Sequence, residues 1–127
     1  MNLERRKSLL PSSFILIFLL KFNYMLLKNT FVHHVHFWLK DKADKQRLLD
    51  GLNTLIPIAH IREIHIGVPA NTNRDVIDRS YDVSLLLLFD TPAAQDAYQI
   101  DPTHVNFAEN YAKPLCSRVV VQDSVNV

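Results

Sequence analysis

Two sets of side chains in this sequence have the types and spacing for chemistry. The first is the stretch FVHHVHFWLK, residues 31–40, in which His34 and His36 alternate with apolar residues. The second lies near the C-terminus, where Tyr98 precedes His104 by six positions. An imidazole titrates near neutral pH and can act as a general base. A tyrosine hydroxyl can polarise a carbonyl group.

His104 follows Pro102 at the predicted start of a helix. The positive end of the helix dipole lowers the proton affinity of a histidine at such a position, and a neutral imidazole can accept a proton from a substrate. With Tyr98 it would form an acid–base pair suited to aldol-type cyclisation without a cofactor. The alternative is structural, with His104 bonded to backbone or to Asp123 so that it ties the last helix to the sheet.

His34 and His36 share one face of an extended strand, because successive side chains alternate. Such a pair can present two imidazoles to a metal ion, but a third ligand could come only from His104 or Asp123. We therefore predict no metal and no cofactor. The single cysteine, Cys116, cannot form an internal disulfide, and two glycines leave no phosphate-binding glycine loop.

The bulk properties are those of one globular domain. The chain has 127 residues, 48% of them hydrophobic, and a net charge of +1. This charge gives no reason to expect binding to nucleic acid. A lone cysteine fits a reducing compartment, so we predict a cytoplasmic protein.

Residues 1–24 combine a basic start with the apolar run FILIFLL at 14–20. This pattern is similar to a signal peptide, but Lys21 interrupts it and no small-residue cleavage site follows. We expect no stable membrane insertion. The segment is either a weak membrane-associated or failed signal, or an extension upstream of a true start at Met25. We favour the extension, with a domain at 25–127.

The remaining pattern predicts strands at 31–40, 61–68, 81–89 and 118–123, and helices that end before Pro57 and that cover 93–100 and 104–112. Thr91 and Thr103 are the expected N-caps of the last two helices. The order β-α-β-β-α-α-β predicts an α+β, ferredoxin-like fold with a four-stranded antiparallel sheet and helices on one face.

The other face of this sheet needs a cover. We expect it to expose too much apolar surface for a monomer, from Phe31, Val35, Phe37, Leu39, Leu86 and Leu88. A homodimer that packs sheet to sheet would bury this surface, with His33 at the interface.

Two segments, HHVHFWLK and YQIDPTHVNFAENYAKPLCSRVVVQD, resemble the stress-responsive dimeric A/B barrel family over about 31–123. The matching residues are His34, Tyr98, Pro102, His104 and Asp123. Asp101 departs from the pattern, because the family usually has a histidine there. The resemblance implies a ferredoxin-like domain that dimerises into an α/β barrel.

The resemblance also implies a pocket between sheet and helices. It assigns catalytic roles to His104, Tyr98 and His34. Its predicted substrate-binding residues are His36, Trp38, Val83, Leu85, Val119, Val121 and Asp123. We predict a homodimer that binds a small apolar or aromatic ligand, with its biochemical role unassigned. The alternative is a cofactor-independent cyclase, lyase or monooxygenase that acts on an aromatic or polyketide-like substrate.

Overall fold

A computed structural model describes residues 13, 15–17 and 26–127. Our predictions for residues 1–24 fall almost entirely outside the described residues and stay predictions. Within the described part of the chain, no helix is both long enough and apolar enough to span a membrane.

Four strands form one antiparallel sheet. They are β1 (Phe31–Leu39), β2 (Glu63–Gly67), β3 (Val83–Phe89) and β4 (Cys116–Val125), in the spatial order β2-β3-β1-β4. β4 is longer than predicted, because it pairs with β1 along the full length of that strand. This confirms the ferredoxin-like arrangement.

The helical segments lie on one side of the sheet. Asp41 caps a short 3-10 turn at Lys42–Asp44. The other segments are α1 (Lys45–Asn53), α2 (Pro92–Ile100), α3 (Pro102–Phe107), a π-helical turn (Ala108–Ala112) and α4 (Lys113–Leu115). The sequence predicted one helix after α2. In the structure this region contains three segments, α3, the π-helical turn and α4.

One of the two predicted helix caps is confirmed. The Thr91 hydroxyl accepts a hydrogen bond from the Ala94 amide at 3.0 Å. The Thr103 prediction was wrong, because Asp101 accepts from the Thr103 amide at 2.8 Å and Pro102 is the first helical residue. Aspartate is favoured at the N-cap and proline at the first helical position, and Asp101 and Pro102 occupy these two positions.

The core fills the space between the sheet and the helices. Leu48, Leu52 and Leu55 are fully buried, at the helical spacing read from the sequence. Gly51 lies on the same stretch. Glycine suits this position because a Cβ atom there would collide with the ring of Tyr111. The glycine thus lets the π-helical turn approach α1 closely.

The two faces of β1 are the reverse of our prediction. The odd-numbered residues His33, Val35, Phe37 and Leu39 are buried beneath the helices. Their even-numbered neighbours are only half-buried, on the face opposite to α1–α4. The error arose because both faces of β1 carry apolar and aromatic residues, so alternation alone does not distinguish inside from outside.

For β3 the predicted faces were right. Leu86 and Leu88 are half-buried and pair directly with His34 and Val32 of β1, so they share the uncovered face. We call this side of the sheet, which α1–α4 leave uncovered, the open face.

Candidate active site

A cavity of about 160 Å³ lies between the helix-covered face of the sheet and the helical segments that follow α2. One end is polar and the remainder is apolar. The polar lining consists of His33, Tyr98, Gln99 and His104; the apolar lining consists of Val35, Phe37, Leu85, Phe107, Ala108, Ala112, Val119 and Val121.

His33 is held by a carboxylate at the polar end. The residue is buried, and its Nδ1 lies 2.6 Å from the Asp123 Oδ1. The two residues face each other across the β1–β4 pairing, so the strand register sets this contact. An ionised carboxylate only accepts hydrogen bonds, hence Nδ1–H donates, and in the neutral imidazole Nε2 would carry the lone pair. This arrangement orients an imidazole for proton transfer.

Tyr98 of α2 is the central residue of the polar end. Its side chain is 1% exposed, and its ring centroid lies 4.4 Å from that of His104 and 5.9 Å from that of His33. Burial raises the pKa of the Tyr98 hydroxyl well above its usual range, so the group stays protonated. Among the described residues the hydroxyl has no hydrogen-bond partner. A buried hydroxyl without a partner is uncommon and is consistent with a ligand site.

His104 completes the polar end from α3. Its Nδ1 lies 3.0 Å from the carbonyl oxygen of Gln99, which can only accept, so Nδ1–H donates and Nε2 is free. Burial is the largest cause that lowers the pKa of His104; His33 lowers it further, while the Gln99 carbonyl and Asp101 oppose the shift. The imidazole is therefore neutral at pH 7, as predicted, but burial is the main reason.

The structure brings most of the predicted pocket residues together. Tyr98, His104, Leu85, Val119 and Val121 all line the cavity. Asp123 reaches the cavity through His33 instead of through His104, which bonds to backbone. Val83 lies on the same face of β3 but is fully buried in the core.

The predicted floor of the pocket was wrong. His34, His36 and Trp38 lie on the open face, on the other side of the sheet from Tyr98 and His104. They cannot contact a ligand in the cavity because the sheet separates them from it. The missed residue is His33, which we had assigned to a dimer interface. One sequence signal could have found it: His33 shares the strand face of Val35 and Phe37 and is the only polar side chain there.

Trp38 belongs to a separate groove on the open face. Its indole N–H donates to the Ser80 hydroxyl at 3.0 Å, and the Arg118 guanidinium lies 4.5 Å from its ring centroid. Tyr81 packs on the neighbouring His36, with ring centroids 4.6 Å apart. These contacts make Trp38 a packing residue of that face.

Two other kinds of site find no support. Across the described residues, no group of three or more His, Cys, Asp or Glu side chains is placed to hold a metal ion. Burial raises the pKa of the Cys116 thiol to about 11, so this side chain is not a thiolate nucleophile at neutral pH.

The fold and the cavity define a ferredoxin-like α+β domain with a site between its sheet and helices. The model of the Stress Responsive A/B Barrel Domain, Dabb, matches residues 31–126, which is most of the chain. The protein therefore belongs to this family, as the resemblance in the sequence predicted.

Solved structures of similar fold include a Dabb family protein from Mesorhizobium loti (22% identity, TM-score 0.65, covering 77% of this chain and 97% of that one). Another is a dimeric ferredoxin-like protein of unknown function from Jannaschia (20% identity, TM-score 0.66, covering 76% of this chain and 99% of that one). A third is a hydroxynitrile lyase from Passiflora edulis (19% identity, TM-score 0.63, covering 77% of this chain and 94% of that one). At these identities the similarity shows the fold alone. A comparison with curated proteins finds no match.

Proposed function

We propose that the cavity binds a compact, uncharged, ring-containing molecule whose hydroxyl or carbonyl group meets Tyr98. The observation that carries this proposal is the buried Tyr98 hydroxyl, which has no partner among the described residues and belongs to a ring that packs beside both His33 and His104. Burying a hydroxyl without a hydrogen bond costs about 1–3 kcal/mol. A ligand oxygen would remove this cost.

The size of the cavity favours a single ring. A dry, apolar protein cavity of about 150 Å³ can hold benzene, and the cavity here is about 160 Å³. A longer polyketide-like chain would have to extend through the opening between the helices and β4, where Val119 and Val121 are about half exposed.

The charges around the cavity favour a neutral ligand. No Lys or Arg is among its lining residues. The Asp123 carboxylate lies next to the cavity, held against His33. A carboxylate or phosphate placed beside it would have no cation to offset the repulsion and the loss of hydration.

A thermal-shift series tests this proposal with phenol, benzaldehyde and acetophenone as neutral probes and benzoate as the anionic one. A probe at about 100 times its dissociation constant stabilises the native state by about 2.7 kcal/mol. We expect a shift with a neutral probe in the wild type and in Val76→Ala, a control at an exposed loop position, and a much smaller shift in Tyr98→Phe. Equal shifts in wild type and Tyr98→Phe, or a shift with benzoate alone, would contradict the proposal.

The second candidate function is cofactor-independent acid–base catalysis, and the Asp123–His33 contact favours it. Nε2 of His33 would take a proton from the carbon beside a substrate carbonyl. The electron pair of the broken C–H bond would move onto the carbonyl oxygen, where the Tyr98 hydroxyl would stabilise the charge. This chemistry suits a cyclase or lyase, and the Passiflora edulis lyase has the same fold.

Exchange of the methyl protons of acetophenone in D₂O, followed by NMR, tests the proton transfer without knowledge of the natural substrate. General-base catalysis contributes about 10²–10⁴-fold to a rate. We expect His33→Gln to remove the protein-dependent exchange and Asp123→Asn to slow it. Binding of acetophenone without protein-dependent exchange would leave the binding function standing and exclude this chemistry for that probe.

We also propose that the protein is a homodimer that packs through its open face. This face carries apolar side chains from three strands, Val32, Leu86, Leu88 and Val120 among them. The Jannaschia protein with the same fold is described as dimeric. Light scattering on Leu88→Lys should show monomers, whereas Ile100→Lys, at an exposed position on α2, should stay dimeric. A monomeric wild type would contradict the proposal. The cytoplasmic location remains a prediction.

A further inference from the structure

The open face has histidines at its centre. The rings of His34 and His36 lie 4.3 Å apart on β1, and His65 stands on β2 two strands away. We propose that association through the open face is coupled to loss of a proton from His34, so that the homodimer is stable at neutral pH and dissociates in mild acid. This inference rests on the homodimer proposed above.

The position of His34 makes its burial in such a dimer unavoidable. β1 and β3 are the two central strands, and His34 pairs with Leu86, which in turn pairs with His65. His34 therefore lies near the middle of the face. Sheets that pack face to face are about 10 Å apart, which leaves no room to hydrate a charged imidazole.

The ionisable groups around His34 oppose its protonation. Burial already lowers the pKa of His34 in the free protomer, and His36, His65 and His33 lower it further. Charged groups that the structure places on this side of the sheet include Glu63 of β2, Arg118 of β4 and Asp78 of the loop before β3.

Neither carboxylate offsets a proton on His34, although Asp78 interacts with His36. Glu63 is exposed on an edge strand, and Asp78 is exposed beside the groove that contains His36 and Arg118. Water and salt screen exposed charges of this kind. The β3 residues next to His34 on this face, Ser84 and Leu86, carry no charge. A proton on His34 in the interface would therefore stay uncompensated.

The sign of the pH dependence follows from these contacts. His34 titrates below 6.5 in the free protomer, and contact with a second sheet desolvates it further and lowers its pKa again. The dimer then binds fewer protons than two free protomers. Association is at full strength above pH 6.5 and weakens as the pH falls through the pKa of the free protomer. Each proton released on association changes the dissociation constant by about tenfold per pH unit below that pKa. The two copies of His34 together give about a hundredfold change.

Sedimentation equilibrium at about pH 8 and about pH 5 measures this coupling. We expect the dissociation constant of the wild-type dimer to increase at least tenfold in acid. A double variant, His34→Gln with His36→Gln, should keep nearly the same constant at both pH values. His60→Gln, at an exposed position between α1 and β2, is the matched control and should behave as the wild type.

Two further readouts keep the result interpretable. Circular dichroism at both pH values verifies that the protomers stay folded. The fluorescence polarisation of Trp38, the single tryptophan, reports dissociation from within the face itself. A folded wild-type dimer with the same dissociation constant at both pH values would overturn the coupling and leave the homodimer standing. Equal acid sensitivity in the double variant would also overturn it. Absence of a dimer at about pH 8 would overturn the homodimer and the coupling together.

Discussion

The two faces of the sheet use the same residue type in opposite ways. His33 and His34 are adjacent in β1, yet His33 lies under the helices against Asp123, while His34 lies on the open face beside His36. A carboxylate orients the first imidazole. Burial first, and then the neighbouring histidines, disfavour a charge on the second. The comparison shows that the cover over a strand face, more than the residue itself, decides what a side chain can do.

The two faces of the sheet also differ in what covers them. The chain's own helices cover one face and leave a small cavity with a polar end. The helical segments from Lys42 onward do not cover the other face, and its apolar residues are only half-buried. We therefore expect substitutions on the covered face to change folding or ligand binding, and substitutions on the open face to change association.

The largest contrast in stability should come from neighbouring leucines of β3. Leu87 is fully buried on the covered face, whereas Leu86 is half-buried on the open face. Leu87→Ala should lower the free energy of unfolding by about 2–5 kcal/mol, because it leaves a cavity in the core. In urea titrations at high dilution, Leu86→Ala should cost less than half as much. Equal costs would mean that the two faces do not differ as described.

Gly51→Ala tests how closely the π-helical turn approaches α1 on the covered face. Alanine is favoured over glycine in a helix by about 1 kcal/mol, but the added Cβ would collide with the Tyr111 ring. Since overpacking costs about 1–3 kcal/mol, we expect net destabilisation in urea titrations. In a Tyr111→Ala background the same substitution should cost less, because the ring is gone while the Cβ at position 111, 2.9 Å from the added Cβ, remains. A stabilising Gly51→Ala in the wild-type background would contradict the close approach of the π-helical turn to α1.

Tyr98→Phe should separate stability from binding at the polar end of the cavity. The substitution removes a buried hydroxyl without a partner among the described residues, so the free energy of unfolding should stay the same or rise by up to about 1 kcal/mol. Ligand binding should fall in the same variant. A loss of stability of about 2 kcal/mol or more in calorimetry would mean that the hydroxyl has a structural partner.

The smallest expected effect is the contribution of His104 to the pH dependence of stability. Its pKa is lowered in the folded state, chiefly by burial, so the unfolded chain binds more protons below about pH 6.5. This contribution to stability is present above pH 6.5 and is lost as the pH falls. Unfolding titrations across this range should give a shallower loss in His104→Gln than in the wild type. An unchanged slope would show that His104 does not titrate differently on folding.

The order of elements and the residues of α2 and α3 that line the cavity could be predicted from the sequence. Helical spacing, proline positions and the Tyr98–His104 segment are local signals, and local contacts position them. The faces of β1 could not be predicted from alternation, since apolar and aromatic residues occupy both faces. Tertiary contacts identify the covered face, among them the packing of Phe107 on Phe37 and of Tyr98 on His33.

Asp101, which departs from the family pattern, shows a second limit of prediction from the sequence. In the sequence it only marked a missing family histidine, but in the structure it caps α3 and opposes the lowered pKa of His104. Both effects depend on the side-chain geometry at the start of α3, which spacing does not reveal.

The most direct test of the two-face account compares His33→Gln with His34→Gln in the acetophenone thermal shift, with the dissociation constant of the dimer measured on the same samples. The account predicts that His33→Gln weakens ligand binding and leaves the dimer and its acid sensitivity intact, because His33 lines the cavity. His34→Gln should bind the ligand as the wild type does and lose much of the acid sensitivity. Weaker ligand binding in His34→Gln together with normal binding in His33→Gln would contradict the account.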